Sequence, residues 1–336
     1  MLDPHSCKLR QQRLSDSLAD QGFDALVIGH PQQIYYFTNH RPHWLQQAAL
    51  VLTNDGASHL VCANKADTNA SIDGCSSYEA QWNATNRSDQ PALVARAVCD
   101  WLTAIGARRV GIDASAVSSQ VLLTGDFQAK SIADAIHDLR RVKDADELAL
   151  MKVAIKCTEA MYLRAREIIE PGIKELTVYN ELHAAAVRAS GEAMTAHLGN
   201  DFACGVGGGP ARASREAQRG EIYILDLGPT YRGYFADNAR AIAVDRKPTD
   251  AQRRAWDAVV GVFPIVERLA RPGARCRDVF AAASEHLEKQ YGKPLGHHLG
   301  HGVGLEPHEA PHLNPKWDDV FREGEVFTAE PGLYGP

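Results

Sequence analysis

Five histidines, His297, His298, His301, His308 and His312, fall within one window of 16 residues. An even scatter of the chain's 14 histidines over 336 residues would put fewer than one there. Imidazole moves protons near neutral pH and ligates metals, so this window is the first place to look for chemistry. His297 and His301 are four apart, as on one helix face. Glycines at 296, 300, 302 and 304 argue instead for a strand or loop lining a pocket. The spacing fits no standard structural zinc site.

Acids supply the other half of the pattern. Asp226 ends the apolar run 222–225, and Asp237 follows 11 residues later, after the turn at Tyr231-Arg232-Gly233. A hairpin would return the second carboxylate to the first. Acids within apolar strands are costly unless compensated. A cation is the natural compensation; the alternative is pairing with Arg212, Arg232 or Arg240. An internal repeat favours the cation. The segment GEIYILDLGPTY from Gly220 aligns with GEVFTAEPGLY from Gly324, which sets Glu330 opposite Asp226. Three acids beside a histidine-rich segment read as an oxygen-rich metal site with one imidazole. Such a donor set suits Mn²⁺, Fe²⁺, Co²⁺ or catalytic Zn²⁺.

The elements that must position these groups follow from periodicity and punctuation. Asp144, with Glu147 three residues on, caps a long helix whose apolar face runs Leu148, Met151, Ile155, Thr158, Tyr162, Ala165, Ile169. Glu170-Pro171-Gly172 breaks it. The same rhythm of helix, Pro-Gly break and helix returns around Pro272-Gly273. The repeat offset is 101 residues at the breaks and 104 at the strands. The reading is a duplicated unit of two helices followed by strands, with two half-sheets meeting.

The first 143 residues read as a separate α/β domain. A helix ends at Gly22, strands cover 25–29, 48–53, 59–61 and 109–113, and a helix carries Leu93 to Leu102; Ile34 to Phe37 is β-rich. Strands alternating with helices imply a partly parallel sheet. His40, Arg41, His43 and Trp44 form a polar-aromatic loop, read as surface or a subunit contact. Domain boundaries are therefore 1–143 and 144–336.

Composition excludes several classes. The net charge of −6, without a basic run, argues against nucleic-acid binding. No apolar stretch approaches the roughly 20 residues of a membrane span. The first residues lack an apolar signal core, which points to the cytoplasm. Seven scattered cysteines without CxxC point to neither a disulfide framework nor a cysteine zinc site. Gly205 to Pro210 fails the dinucleotide pattern, and no phosphate loop or GxSxG elbow is present.

The segments DLGPTYRGYFAD, GHGVGLEPHE and FTAEPGLY resemble the creatinase/aminopeptidase P/prolidase group of metallopeptidases, closest to Xaa-Pro aminopeptidase-like members. DALVIGHPQQIYYFTN and LRRVKDADELALMKVA extend the resemblance to the N-terminal domain and the junction. It implies an α/β (α+β) architecture: a creatinase-like N-terminal domain before a C-terminal pita-bread domain with pseudo-two-fold duplication. It also implies hydrolysis of an Xaa-Pro bond by a metal-activated hydroxide. Two divalent ions are expected, Mn²⁺ first, then Co²⁺, Zn²⁺ or Fe²⁺. Asp226, Asp237 (bridging), His301 and Glu330 match ligands. Glu330 would also relay a proton to the leaving nitrogen. His308 matches the group that meets the substrate carbonyl, and His297 one near the substrate's proline. A small peptide substrate and a homodimer follow, with the N-terminal domain narrowing the pocket entrance. Two departures stand out. The loop GVGGGPARASREAQRG lacks the family's pocket histidine, and the fifth ligand, a glutamate in a terminal strand, is not present. The expectation is a chain whose last strands are missing. A small non-peptide substrate, or an inactive binding module or fragment, stays open beside peptide hydrolysis.

Overall fold

The computed structural model describes residues 1–194, 199–205 and 207–335. The chain divides into two units, Met1–Arg140 and Arg141–Pro336. Among the described residues no helix is long and apolar enough to cross a membrane.

In the first unit, Asp3 caps α1 (Pro4–Leu18) by accepting from the Ser6 amide at 2.8 Å. The elements that follow are β1 (Ala25–Ile28), α2 (Pro31–Thr38), β2 (Ala49–Thr53), β3 (Ser58–Ala63) and β4 (Gly74–Tyr78). A short ribbon of β5 (Gln81–Trp82) and β6 (Thr85–Asn86) precedes α3 (Gln90–Ala104), β7 (Arg109–Ile112), α4 (Ala116–Thr124), β8 (Gln128–Ser131) and α5 (Ala133–Arg141). The sheet order is β4-β3-β2-β1-β7-β8. The pairs β3–β4, β1–β7 and β7–β8 are parallel and the rest antiparallel, the mixed sheet the alternation predicts. The β-rich run Ile34 to Phe37 is helical instead, forming most of α2. Pro31 pre-sets the first turn, and Asn39 ends the helix in the left-handed region (φ 58). All four of those side chains are buried; burial on every side outweighs β propensity.

The second unit opens with the expected cap. Glu147 reaches back to accept from the Asp144 amide at 2.9 Å, starting α6 (Ala145–Ile168). The buried stripe is rotated from the predicted face. Met151, Thr158, Ala165 and Ile169 are shared, but Ala154, Cys157 and Met161 are buried while Ile155 is 55% exposed. Glu147 explains the rotation. It is itself buried and accepts from the Tyr234 hydroxyl at 2.9 Å, so the inward stripe runs through it.

Next come α7 (Glu175–Ser190), β9 (Gly199–Cys204), β10 (Ile222–Leu227), β11 (Thr230–Tyr231), β12 (Tyr234–Phe235) and β13 (Asn238–Ala243). The second half holds α8 (Asp250–Val260), α9 (Phe263–Leu269), α10 (Cys276–Tyr291), β14 (Gly300–Gly302) and β15 (Glu309–Leu313). The duplication is present in the backbone. Lys174 bridges Glu216 and Arg275 bridges Val320, partners separated by the repeat's own offsets. The Gly172 amide donates to the Ala217 carbonyl at 2.8 Å, and Gly273 donates to Phe321 at 2.9 Å. Each half has its own core. Val178, Leu182, Tyr223 and Leu225 belong to one, and Val279, Ala283, Leu299 and Leu313 to the other. The halves meet where the Phe235 amide donates to the Gly304 carbonyl at 2.8 Å.

Candidate metal centre

β10 lies between β13 and β9, with Asp226 opposite Ala239 on one side and Asp201 on the other. Between Asp226 and Asp237 the chain makes a nested ribbon, β11 and β12, around Arg232 and Gly233 (φ 49 and 91). Both residues have φ > 0, as a two-residue hairpin loop of the primed type requires. The predicted hairpin therefore exists with a smaller one inside it, and Asp237 stands one residue before β13. Its carboxyl is in hydrogen-bonding contact with that of Asp226. The Tyr162 hydroxyl lies 3.1 Å from the Leu225 carbonyl and 2.5 Å from that of Asn238, tying both strands to α6.

β14 carries His301 between two glycines with no room for a side chain. A Cβ on Gly300 would stand 2.0 Å from the Thr328 carbonyl oxygen, and one on Gly302 2.1 Å from that of Ala310. The segment after Val326 can thus run antiparallel against β14. Thr328 donates to the His301 carbonyl and Glu330 to that of Leu299, each at 2.8 Å. His301 Nε2 comes to lie 3.1 Å from Glu330 Oε1 and 3.5 Å from Asp237 Oδ2. Gly300→Ala is expected to force these backbones apart at a cost of about 1–3 kcal/mol. Urea denaturation would read that loss, and calorimetry a weaker metal affinity, because Glu330 rides on the displaced segment.

The electrostatics ask for positive charge. Asp237, His301 and Glu330 each offer a ligand atom within 4.8 Å of the other two. Burial pushes the Asp237 carboxyl up to about 8, with the charges of Asp226 and Glu330 adding to it. Asp226 is raised by burial and then by Glu330. Burial works to raise Glu330 as well, but the hydrogen bond and charge of His301 hold it below its ordinary value. His301 is raised: burial opposes its charge, and the bonds to Glu330 and the Gly302 carbonyl prevail. Its Nδ1 lies 2.9 Å from that carbonyl. A proton on Nδ1 is committed there, so Nε2 is the atom that takes up a proton or a cation. The upward shifts of Asp237 and His301 mark a cluster short of positive charge, a need that a divalent ion fits.

The remaining predicted residues fall on the rim. The exposed His308 stacks on His301, with ring centroids 3.7 Å apart. Burial of part of its ring, then the charge of His301, hold it below the usual imidazole range. His297 Nδ1 lies 2.7 Å from the His298 carbonyl and its Nε2 3.3 Å from the Tyr334 hydroxyl. His312 is drawn off to Asp319 at 3.1 Å. The arginines find other partners: Arg212 pairs with Glu175, Arg232 with Glu192, and Arg240 lies over the Tyr162 ring. Three supporting residues escape sequence reasoning. Asn200 Nδ2 lies 3.3 Å from Asp226 Oδ2, and the Thr328 hydroxyl donates to Glu330 Oε1 at 2.8 Å. Tyr162 reads only as a core position. The two-residue spacing of Thr328 and Glu330, one face of an extended segment, is the one available signal.

Comparison with known proteins agrees with this architecture. Residues 149–336 match the model of metallopeptidase family M24, and residues 10–145 match the creatinase/prolidase N-terminal domain. The Xaa-Pro dipeptidase of Pyrococcus furiosus is 26% identical over 341 aligned residues, covering 98% of this chain and 91% of that protein. The prolidase structure from Pyrococcus horikoshii superposes with a TM-score of 0.82 at 23% identity, over 98% of this chain and 91% of that one. An Xaa-Pro dipeptidase structure from Bacillus anthracis gives 0.83 at 23% identity, with the same coverage. At such identities the structures establish a shared fold.

Proposed function

The chain belongs to metallopeptidase family M24, and from that premise we propose that its 144–336 domain cleaves the bond between a residue and a following proline in small peptides. Asp226, Asp237, His301 and Glu330 hold two divalent ions, Mn²⁺ by preference. The observation that carries this reading is the convergence of Asp237 from one half of the duplicated fold with His301 and Glu330 from the other. Bound divalent ions supply Lewis acidity, lowering the pKa of water and polarising the scissile carbonyl.

The chain's own residues do the rest. His308, neutral and beside His301, donates a hydrogen bond to the carbonyl oxygen as charge develops on it. Glu330, half-buried against His301 and Thr328, carries a proton to the leaving nitrogen. His297, braced by Tyr334, flanks the proline. The active species is a homodimer in the cytoplasm, which light scattering and fractionation would test.

His308→Ala is expected to lower kcat by roughly 10²–10³ while metal content, read by mass spectrometry, stays at the parental level. The reading as a whole is tested by chelation. Activity on Ala-Pro should vanish on chelator treatment and return with Mn²⁺, and Ala-Ala should be cleaved poorly. The loop lacking a histidine favours one second reading, a small non-peptide substrate. Turnover of creatine-like or cyclic amidine compounds in place of Ala-Pro would establish that reading.

A further inference from the structure

His298 is left over by the site just described. Its Nδ1 is buried with no hydrogen-bond partner, 3.9 Å from Glu330 Oε1. A buried polar atom without a hydrogen bond is unfavourable, so this nitrogen calls for a partner. Its ring meets His301 edge-on at 5.3 Å between centroids and His308 at 5.8 Å. One ligand nitrogen from each of His298, His301 and His308 lies within 4.8 Å of the other two. Their neighbours are committed elsewhere: both nitrogens of His297 have contacts, and His312 is held by Asp319.

We propose that His298, His301 and His308 form a second, all-imidazole site that takes a borderline-soft divalent ion, Zn²⁺ or Cu²⁺, in preference to Mn²⁺. Three neutral imidazoles leave one open position on a tetrahedral ion. Nitrogen donors rank Cu²⁺ and Zn²⁺ far above Mn²⁺, whereas the carboxylate set of Asp237 and Glu330 accommodates Mn²⁺. Glu330 beside the imidazoles offsets the ion's charge.

The consequence lies in His301, which both sets share. With Nδ1 held by the Gly302 carbonyl, Nε2 is the nitrogen available to either. An ion on the three imidazoles withdraws His301 from the carboxylates and occupies His308. This last step rests on the proposed hydrolytic function. Excess Zn²⁺ should inhibit by competing with Mn²⁺ instead of adding to it.

The test uses the full metal-free chain with Cu²⁺, Zn²⁺ and Mn²⁺ as probes. One equivalent of Cu²⁺ should give an electron paramagnetic resonance signal with three coupled nitrogens. His298→Gln should lose one of them and weaken Zn²⁺ binding by roughly tenfold or more, about 1.4 kcal/mol per tenfold. Its Mn²⁺ affinity should stay within about twofold of the parent, in keeping with an oxygen-rich Mn²⁺ set that excludes His298. His298→Cys, which restores a soft ligand, should recover Zn²⁺ binding; a merely structural role for His298 would not produce that rescue. Equal Cu²⁺ spectra and equal Zn²⁺ affinity in parent and His298→Gln would overturn the site. Normal Mn²⁺ binding alongside that result would leave the hydrolytic reading intact. Loss of Mn²⁺ binding with the three-nitrogen signal retained would do the opposite.

Discussion

Asp237→Asn should abolish divalent-metal binding at the carboxylate site and lower hydrolysis by about 10³-fold or more, yet the metal-free variant should melt no lower than the metal-free parent. The two effects share one cause. Asp237 is half-buried beside Asp226 and Glu330, and desolvation together with their charges lifts its pKa to about 8. Its unfolded value is about 3.9. Between those values the native chain holds a proton that the unfolded chain has released. The contribution of Asp237 to the stability of the metal-free protein is therefore fully present below about pH 4, falls as pH rises, and levels off above about 8. His301, raised above its ordinary value, acts in the same direction. Its stabilising charge is present at low pH and is lost as pH rises through its folded pKa. The metal-free parent should thus melt higher at pH 6 than at pH 8, and Asp237→Asn should lose much of that difference. Metal reverses the sign, because its ligands must be deprotonated; the Mn²⁺-loaded parent should gain more stability at pH 8 than at pH 6. Scanning calorimetry at the two pH values, with chelator and with Mn²⁺, reads all four states.

Lys143→Met should cost about 3–5 kcal/mol of stability, the usual effect of removing one partner from a buried ion pair. Lys143 Nζ lies 3.0 Å from Glu309 Oε2, and the two side chains are only 1% and 9% exposed. Glu309 Oε1 also accepts from the Glu306 amide at 3.0 Å, so the pair fixes the turn that carries His308. Lys143→Met removes the ammonium group that meets Glu309 Oε2 at 3.0 Å. Lys143→Met with Glu309→Leu should recover part of the loss, since an apolar pair of similar volume is often as stable as a buried ion pair. Urea denaturation of both variants measures the difference. A single variant within 1 kcal/mol of the parent would show that solvent or a neighbour compensates Glu309.

Much of this arrangement is legible in the amino-acid sequence. Capping chemistry at Asp144 and Glu147, the Pro-Gly breaks and the 101/104 offset follow from local rules, and local rules survive folding. The duplication also located Glu330, since a repeated strand places equivalent residues at equivalent points. What escaped depends on long-range packing. The helix at Ile34 to Phe37 forms because its surroundings bury it on every side. The rotated stripe of α6 follows from Tyr234, 87 residues beyond Glu147. Periodicity could not separate His308, stacked on His301, from His312, taken by Asp319. That distinction rests on where β15 and the loop before it run. The nested ribbon between Asp226 and Asp237 was visible only as a turn, because two-residue strands carry no period.

The central claim is that Asp226 and Asp237 from one half of the duplicated fold, and His301 and Glu330 from the other, together hold the metal that performs hydrolysis. Anomalous diffraction at the manganese edge, from crystals of the Mn²⁺-loaded chain, tests it most directly. The predicted result is density within bonding distance of carboxylate oxygens of Asp226, Asp237 and Glu330 and of His301 Nε2. Peaks confined to other residues, or an empty carboxylate cluster in crystals grown from active protein, would contradict it.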